Sequence, residues 1–155
     1  MGKLVTQEEI KKIVKNGHDS GETFVLTNGC FDILHVGHVR YLAKTKSFAD
    51  YSIVLLNSDK SVKINKGDNR PINNETDRAE VLSSLSSVDY VVIFDEKSPA
   101  KLLEEIKPDV YTKGADYNLE NLPEREIVIK NNIRVEFIDF VQGKSTTNII
   151  NKINS

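Results

Sequence analysis

The sequence predicts a Rossmann-like α/β domain, a doubly wound sheet of about five parallel strands with flanking helices. Three observations predict it. Apolar runs alternate regularly with helical patterns along the chain. Runs such as Ser52-Ile53-Val54-Leu55-Leu56 are almost continuously apolar, which suits strands buried on both faces of a parallel sheet. The polar motifs follow the strands, where an open sheet of this class binds its ligands.

Taken in order, an amphipathic helix over Thr6–Asn16 opens the chain, with Thr6 and Glu9 spaced as a capping box. Strands are predicted at Phe24–Asn28, Tyr51–Asn57, Tyr90–Phe94, Val110–Thr112 and Val135–Ile138. Helices are predicted at Gly37–Ser47, Glu75–Ser86, Pro99–Lys107, Pro123–Asn131 and Thr146–Asn154, joined by right-handed crossovers. Ser98-Pro99 reads as an N-cap followed by the first helical residue. Val62–Asn74 reads as a polar, basic loop, and Asn118–Arg125 as a lid, a sugar-binding segment or a plain connection. With no repeat or linker in view, residues 1–155 are read as one domain: an N-terminal helix and lead-in over 1–20 and a Rossmann-like core over 23–155.

The composition sets bounds. A chain of 155 residues can bury its own core, and a formal net charge of −2 supplies no basic field for nucleic acid. Cys30 is the single cysteine, which excludes an internal disulfide and suits a reducing cytoplasm. No apolar stretch approaches a membrane span, and MGKLVTQEEIKK lacks the hydrophobic region of a signal peptide. The expectation is a cytoplasmic protein with neither a nucleic acid nor a membrane as partner.

Four strand ends carry site-like chemistry on one edge of the sheet. After the first come Asn28-Gly29-Cys30-Phe31-Asp32 and then His35-Val36-Gly37-His38, with imidazoles three residues apart on one helix face. Gly37 would let a ligand approach the backbone, and the following helix start offers free N–H groups to anions. Histidines here can donate to nucleotide phosphates. They can equally be structural, or join Cys30 in a metal site that lacks an evident fourth ligand. Lys63, Lys66 and Arg70 can clamp phosphates or simply be solvated, and Arg78 can reach the same phosphates or pair with Asp77 or Glu80. Asp32, Asp59 and Asp116 can orient a histidine, hold hydroxyls or place Mg²⁺, or can merely cap turns. Gly143-Lys144-Ser145-Thr146-Thr147 opens the last helix as an anion nest, although Ser145 is also an ordinary N-cap. Cys30 reads as a packing residue, with no feature that activates it.

Together, TNGCFDILHVGH (27–38), NSD (57–59), KGDNRP (66–71), KGADY (113–117) and STTNII (145–150) resemble the nucleotidyltransferase superfamily with the H-x-G-H signature. Within it the chain most resembles the D-glycero-β-D-manno-heptose 1-phosphate adenylyltransferases, over about residues 3–150. The resemblance implies transfer of AMP from ATP to the sugar phosphate, giving ADP-heptose and pyrophosphate for lipopolysaccharide cores. It implies His35, His38 and Lys66 as catalytic. It implies Thr27, Asn28, Gly29, Phe31, Gly37, Lys113, Gly114, Asp116, Ser145, Thr146 and Thr147 as nucleotide-binding. Cys30, Asp32, Asp59, Lys63, Arg70 and Arg78 fall to the sugar phosphate. Mg²⁺ is expected to travel on the ATP phosphates without a direct protein ligand. The family further implies a homodimer. Many members carry a sugar kinase ahead of this domain, so a separate heptose kinase is expected to supply the acceptor. The alternatives are a cytidylyltransferase acting on glycerol 3-phosphate or a related alcohol, and a non-catalytic nucleotide-binding module. Phe140 stands where the glycerol-3-phosphate group has an arginine, which favours the heptose reading.

Overall fold

Strand β3 (Tyr51–Asn57) shows why the chain builds three layers. Successive side chains point to opposite faces of a strand. Ile53 and Leu55 accordingly enter one apolar cluster, with Ile10, Phe24, Leu26 and Leu103, while Val54 and Leu56 enter a second, with Leu42, Ala79 and Leu82. A sheet apolar on both faces needs helices on both.

The computed structural model describes residues 1–139 and 144–155. Its sheet is six-stranded and entirely parallel, in the order β1-β4-β3-β2-β5-β6. The remaining strands are β1 (Lys3–Leu4), β2 (Phe24–Gly29), β4 (Tyr90–Phe94), β5 (Val110–Gly114) and β6 (Arg134–Ile138). Helices α1 (Gln7–Asp19), α5 (Ala100–Ile106) and α6 (Arg125–Lys130) supply residues to the first cluster. Helices α2 (Val36–Lys46) and α4 (Glu75–Ser83) supply the second. Helix α3 (Asp59–Lys66) follows β3, and α7 (Thr146–Asn154) ends the chain.

The doubly wound class is as the sequence predicts, with differences of detail. β1 pairs with β4 at the sheet edge, so the lead-in contributes a sixth strand; two residues are too few to show a period. Part of the expected loop 62–74 is helical. Ser58 caps α3 by accepting from Ser61 N at 3.2 Å, and Val62 is wholly buried beneath a polar outer face. Pro99 occupies the N-cap position of α5, with Ser98 Oγ accepting from Ala100 N at 3.2 Å. Helix α4 ends at Ser83, three residues early, and α6 is confined to Arg125–Lys130. The Thr6–Glu9 capping box is present, both of its hydrogen bonds 3.1 Å long.

The chain winds outward from β2 through β3 to β4, then crosses back to lay β5 on the other side of β2. The carboxyl ends of β2 and β5 are therefore the switch point, where the loops diverge and leave a crevice.

Candidate active site

That crevice is a cleft of about 650 Å³, within the usual size of a ligand pocket, roughly 300–1,000 Å³. Its floor is the loop from β2 into α2. His35 is the N-cap of α2, and its Nδ1 accepts from Gly37 N at 3.0 Å. In the neutral ring the proton then sits on Nε2. His38, one turn on, stacks on His35 with ring centroids 3.9 Å apart and planes 26° from parallel. The buried His35 Nε2 and His38 Nδ1 have no hydrogen-bond partner in the protein. Burial is the main cause that lowers both imidazoles. The Lys144 ammonium adds to it at His35, and His35 adds to it at His38, which falls to about 4. At neutral pH the pair is uncharged.

Two glycines make room for this arrangement. A Cβ on Gly37 would lie 2.8 Å from His35 Cε1, so the glycine admits the histidine's own ring. A Cβ on Gly29 would lie 2.8 Å from the ring of Phe31, which sits at a left-handed φ of 46° and meets His38 edge-on at 5.2 Å. Gly37 thus serves the ring of His35 and also lines the cleft.

Sixteen of the sequence-predicted residues meet at the cleft. Asn28, Gly29, Cys30, Phe31, Asp32, His35, Gly37 and His38 come from the β2–α2 segment, and Lys66 and Arg70 from the end of α3 and beyond. Lys113 and Gly114 come from β5, Asp116 from the turn after it, and Ser145, Thr146 and Thr147 from the start of α7. Four others lie elsewhere. Thr27 is fully buried and donates to Thr112 O at 3.3 Å, so Tyr41 OH donates to it at 2.9 Å; it seats α2 on the sheet. Arg78 is only 2% exposed and does not face a ligand. It donates to Asn73 O, Cys30 O and Asn57 O at 2.8–2.9 Å and pairs with Asp59 at 2.8 Å, not with Asp77 or Glu80. Asp59 is thereby tied up outside the cleft, and the exposed Lys63 is not part of the lining.

Within the cleft, several polar groups already have protein partners. The Asp32 carboxylate is fully buried, accepting from Ile72 N and Asn73 N at 2.8 Å and from Arg70 Nε at 3.1 Å. Ser145 Oγ caps α7 by accepting from Asn148 N at 3.0 Å, and Thr146 Oγ1 donates to Ile33 O at 3.0 Å. Burial pushes the Cys30 thiol up despite the opposing pull of Lys66, Arg78 and Arg70, as befits a packing residue. Among the described residues no three His, Cys, Asp or Glu side chains group as metal ligands would. Gly143 and Phe140 lie outside the described residues.

The cleft also takes in Tyr41, Asn57, Asn65, Lys97, Tyr117 and Lys144. Lys144 had a signal, since it stands beside Ser145 in the predicted nest. Asn65 had none, because α3 itself read as loop, and Lys97, after β4, had none either.

A family model described as cytidylyltransferase-like matches residues 26–152. The chain belongs to the cytidylyltransferase-like family. Within that family it is similar to proteins named "Bifunctional protein HldE". It is 51% identical over 97% of this chain to the one from Campylobacter fetus subsp. fetus and 51% to the one from Aliarcobacter butzleri. To the one from Geotalea uraniireducens it is 48% identical over 99% of this chain. The chain spans 31% of the length of each of these relatives. It also superposes on the crystal structure of the lipopolysaccharide core biosynthesis protein from Thermoplasma volcanium GSS1, with a TM-score of 0.63 and 31% identity. That match covers 80% of this chain and 100% of the other. In this cytidylyltransferase-like domain, no helix among the described residues is long and apolar enough to cross a membrane.

Proposed function

We propose that this chain is a nucleotidyltransferase that moves the adenylyl group of ATP to D-glycero-β-D-manno-heptose 1-phosphate, giving ADP-heptose and pyrophosphate for lipopolysaccharide core synthesis. The observation that carries the reading is the stacked His35–His38 pair, with buried unpartnered nitrogens, at the switch-point cleft. The relatives named HldE and the lipopolysaccharide core protein support the choice of sugar pathway.

An oxygen of the sugar phosphate attacks the α-phosphorus and forms the new P–O bond. The bond from that phosphorus to the bridging oxygen breaks, and its electron pair leaves with pyrophosphate. The nucleophile is already an anion, so no general base is needed. What remains is positioning and charge stabilisation. His35 Nε2–H is a neutral donor whose direction is fixed by the Gly37 contact at Nδ1. Because neither imidazole is charged at neutral pH, positive potential falls to the lysines around the cleft, Lys66, Lys97 and Lys144, while Arg70 and Lys113 are each paired with a buried carboxylate. Mg²⁺ enters as part of the MgATP substrate. The setting is cytoplasmic, where ATP is available, a sugar kinase supplies the acceptor, and the working species is a homodimer.

The test is pyrophosphate release with heptose 1-phosphate, comparing MgATP with MgCTP. Release with MgATP alone is expected. Release with CTP, or only with glycerol 3-phosphate, would move the chain to the cytidylyltransferases. Silence with every acceptor despite ATP binding would make it a non-catalytic module. His38→Ala should lower kcat by about 10²–10³-fold with little change in ATP affinity.

A further inference from the structure

The segment after Asp116 delivers one acidic side chain to the back of β5. Glu124 is 2% exposed. Its Oε1 bonds the Tyr111 hydroxyl at 2.7 Å and lies 3.3 Å from Lys113 Nζ, while its buried Oε2 has no partner. Tyr111 OH is also 2.6 Å from the Asn28 side-chain amide. The phenol's single proton faces two acceptors, Asn28 Oδ1 and Glu124 Oε1, and goes to one of them at a time. Burial, reinforced by Glu124, holds the Tyr111 phenol well above 10, so it stays a donor. Lys113 itself lines the cleft, 16% exposed, with Nζ 5.1 Å from the ring centre of Tyr117 and 5.8 Å from that of Tyr111.

We propose that Glu124 is a positioning residue for Lys113, holding the ammonium at the nucleotide end of the cleft and fixing the direction from which it meets the phosphates. The role rests on the nucleotidyltransferase reading. A carboxylate this deeply buried needs a cation, and among the described residues Lys113 is the one in contact with it. Lys113 cannot leave for a ligand without stranding that charge. It stays paired with Glu124 and presents its N–H groups to the cleft that it lines. A lysine is otherwise a mobile point charge on a flexible stem. Tethered, it becomes an aimed donor, of the kind that favours a transition state over a ground state. The pair is neutral as a whole, so it gives the cleft direction more than potential.

Glu124→Gln keeps the size of the side chain and an acceptor for Tyr111 while removing the charge. It should make Lys113 about tenfold more reactive towards an acetylating reagent, tighten MgATP binding about threefold and lower kcat about tenfold. In a Lys113→Met background it should leave MgATP affinity unchanged and restore part of the melting temperature that Lys113→Met loses. Damage to folding alone would not tighten binding. If Glu124→Gln fails to fold, Glu124→Asp, which keeps the charge but draws it back by one methylene, should still raise Lys113 reactivity and lower kcat, and parental values of both would overturn the proposal. Parental Lys113 reactivity and MgATP affinity would overturn the proposal, as would an equal affinity shift in the Lys113→Met background. The acetylation readout needs no substrate. A tethered Lys113 in a chain that releases no pyrophosphate would reject the enzyme reading alone. An active enzyme indifferent to Glu124→Gln would reject the positioning role alone.

Discussion

An imidazole has two nitrogens, and at His35 the helix takes one of them. Capping α2 through Gly37 N fixes the ring's tautomer and leaves Nε2 for a ligand. Gly37→Ala should therefore act through His35. The added Cβ, 2.8 Å from Cε1, would push the ring off its cap, costing about 1 kcal/mol of stability and about 10² in kcat, to be read by melting and pyrophosphate release. His38 makes a prediction about acid. Folding holds it down to about 4 against an ordinary 6.5, so between those values the unfolded chain binds the extra proton. Stability then rises with pH across that window and is lost as pH falls from 6.5 towards 4. Melts of His38→Gln against the parent should show a flatter dependence over the same range; parallel curves would contradict it.

At the level of elements, the loops around the cleft are held by side chains that never need to touch a ligand. Thr27, Tyr41, Thr112 and Thr45 form a hydrogen-bonded chain, with links of 2.9–3.3 Å, that seats α2 across β2 and β5. Arg78 draws the carbonyls after β2 and β3 together. Asp32 clamps Arg70 and the backbone of Ile72 and Asn73. Asp32→Asn removes one anionic oxygen from that clamp and should cost about 1–3 kcal/mol in a denaturant melt. With Arg70 loosened, KM for the sugar phosphate should rise more than KM for MgATP. Local codes such as the Thr6–Glu9 box were legible because both partners lie within one turn. Helix α3 was not, since its eight residues carry too few apolar positions to show a period. Arg78 was misread for a related reason. A cation among acids looks solvent-facing until the fold brings three carbonyls to it.

For the whole molecule, the cleft joins both halves of the winding, so a ligand bound there should stabilise the entire fold. MgATP at a hundredfold excess over its Kd should add about 2.7 kcal/mol to unfolding, read as a rise in melting temperature. The sheet was readable because strand runs such as 52–56 are apolar on both faces, and the cleft because Asn28, Lys113 and Ser145 each follow a strand. What could not be read were pairings distant in sequence. Nothing local links Lys97 to the same cavity as His35, or places Glu124 under Lys113.

The bond from Thr146 to the carbonyl of Ile33 spans 113 positions and joins the start of α7 to the loop between β2 and α2. Of the described parts of the cleft, a ribosome makes the segment from Asn28 to His38 first and the Ser145–Thr147 turn last. Until that turn is made, a nascent chain can hold all six strands and still lack one wall of the cleft.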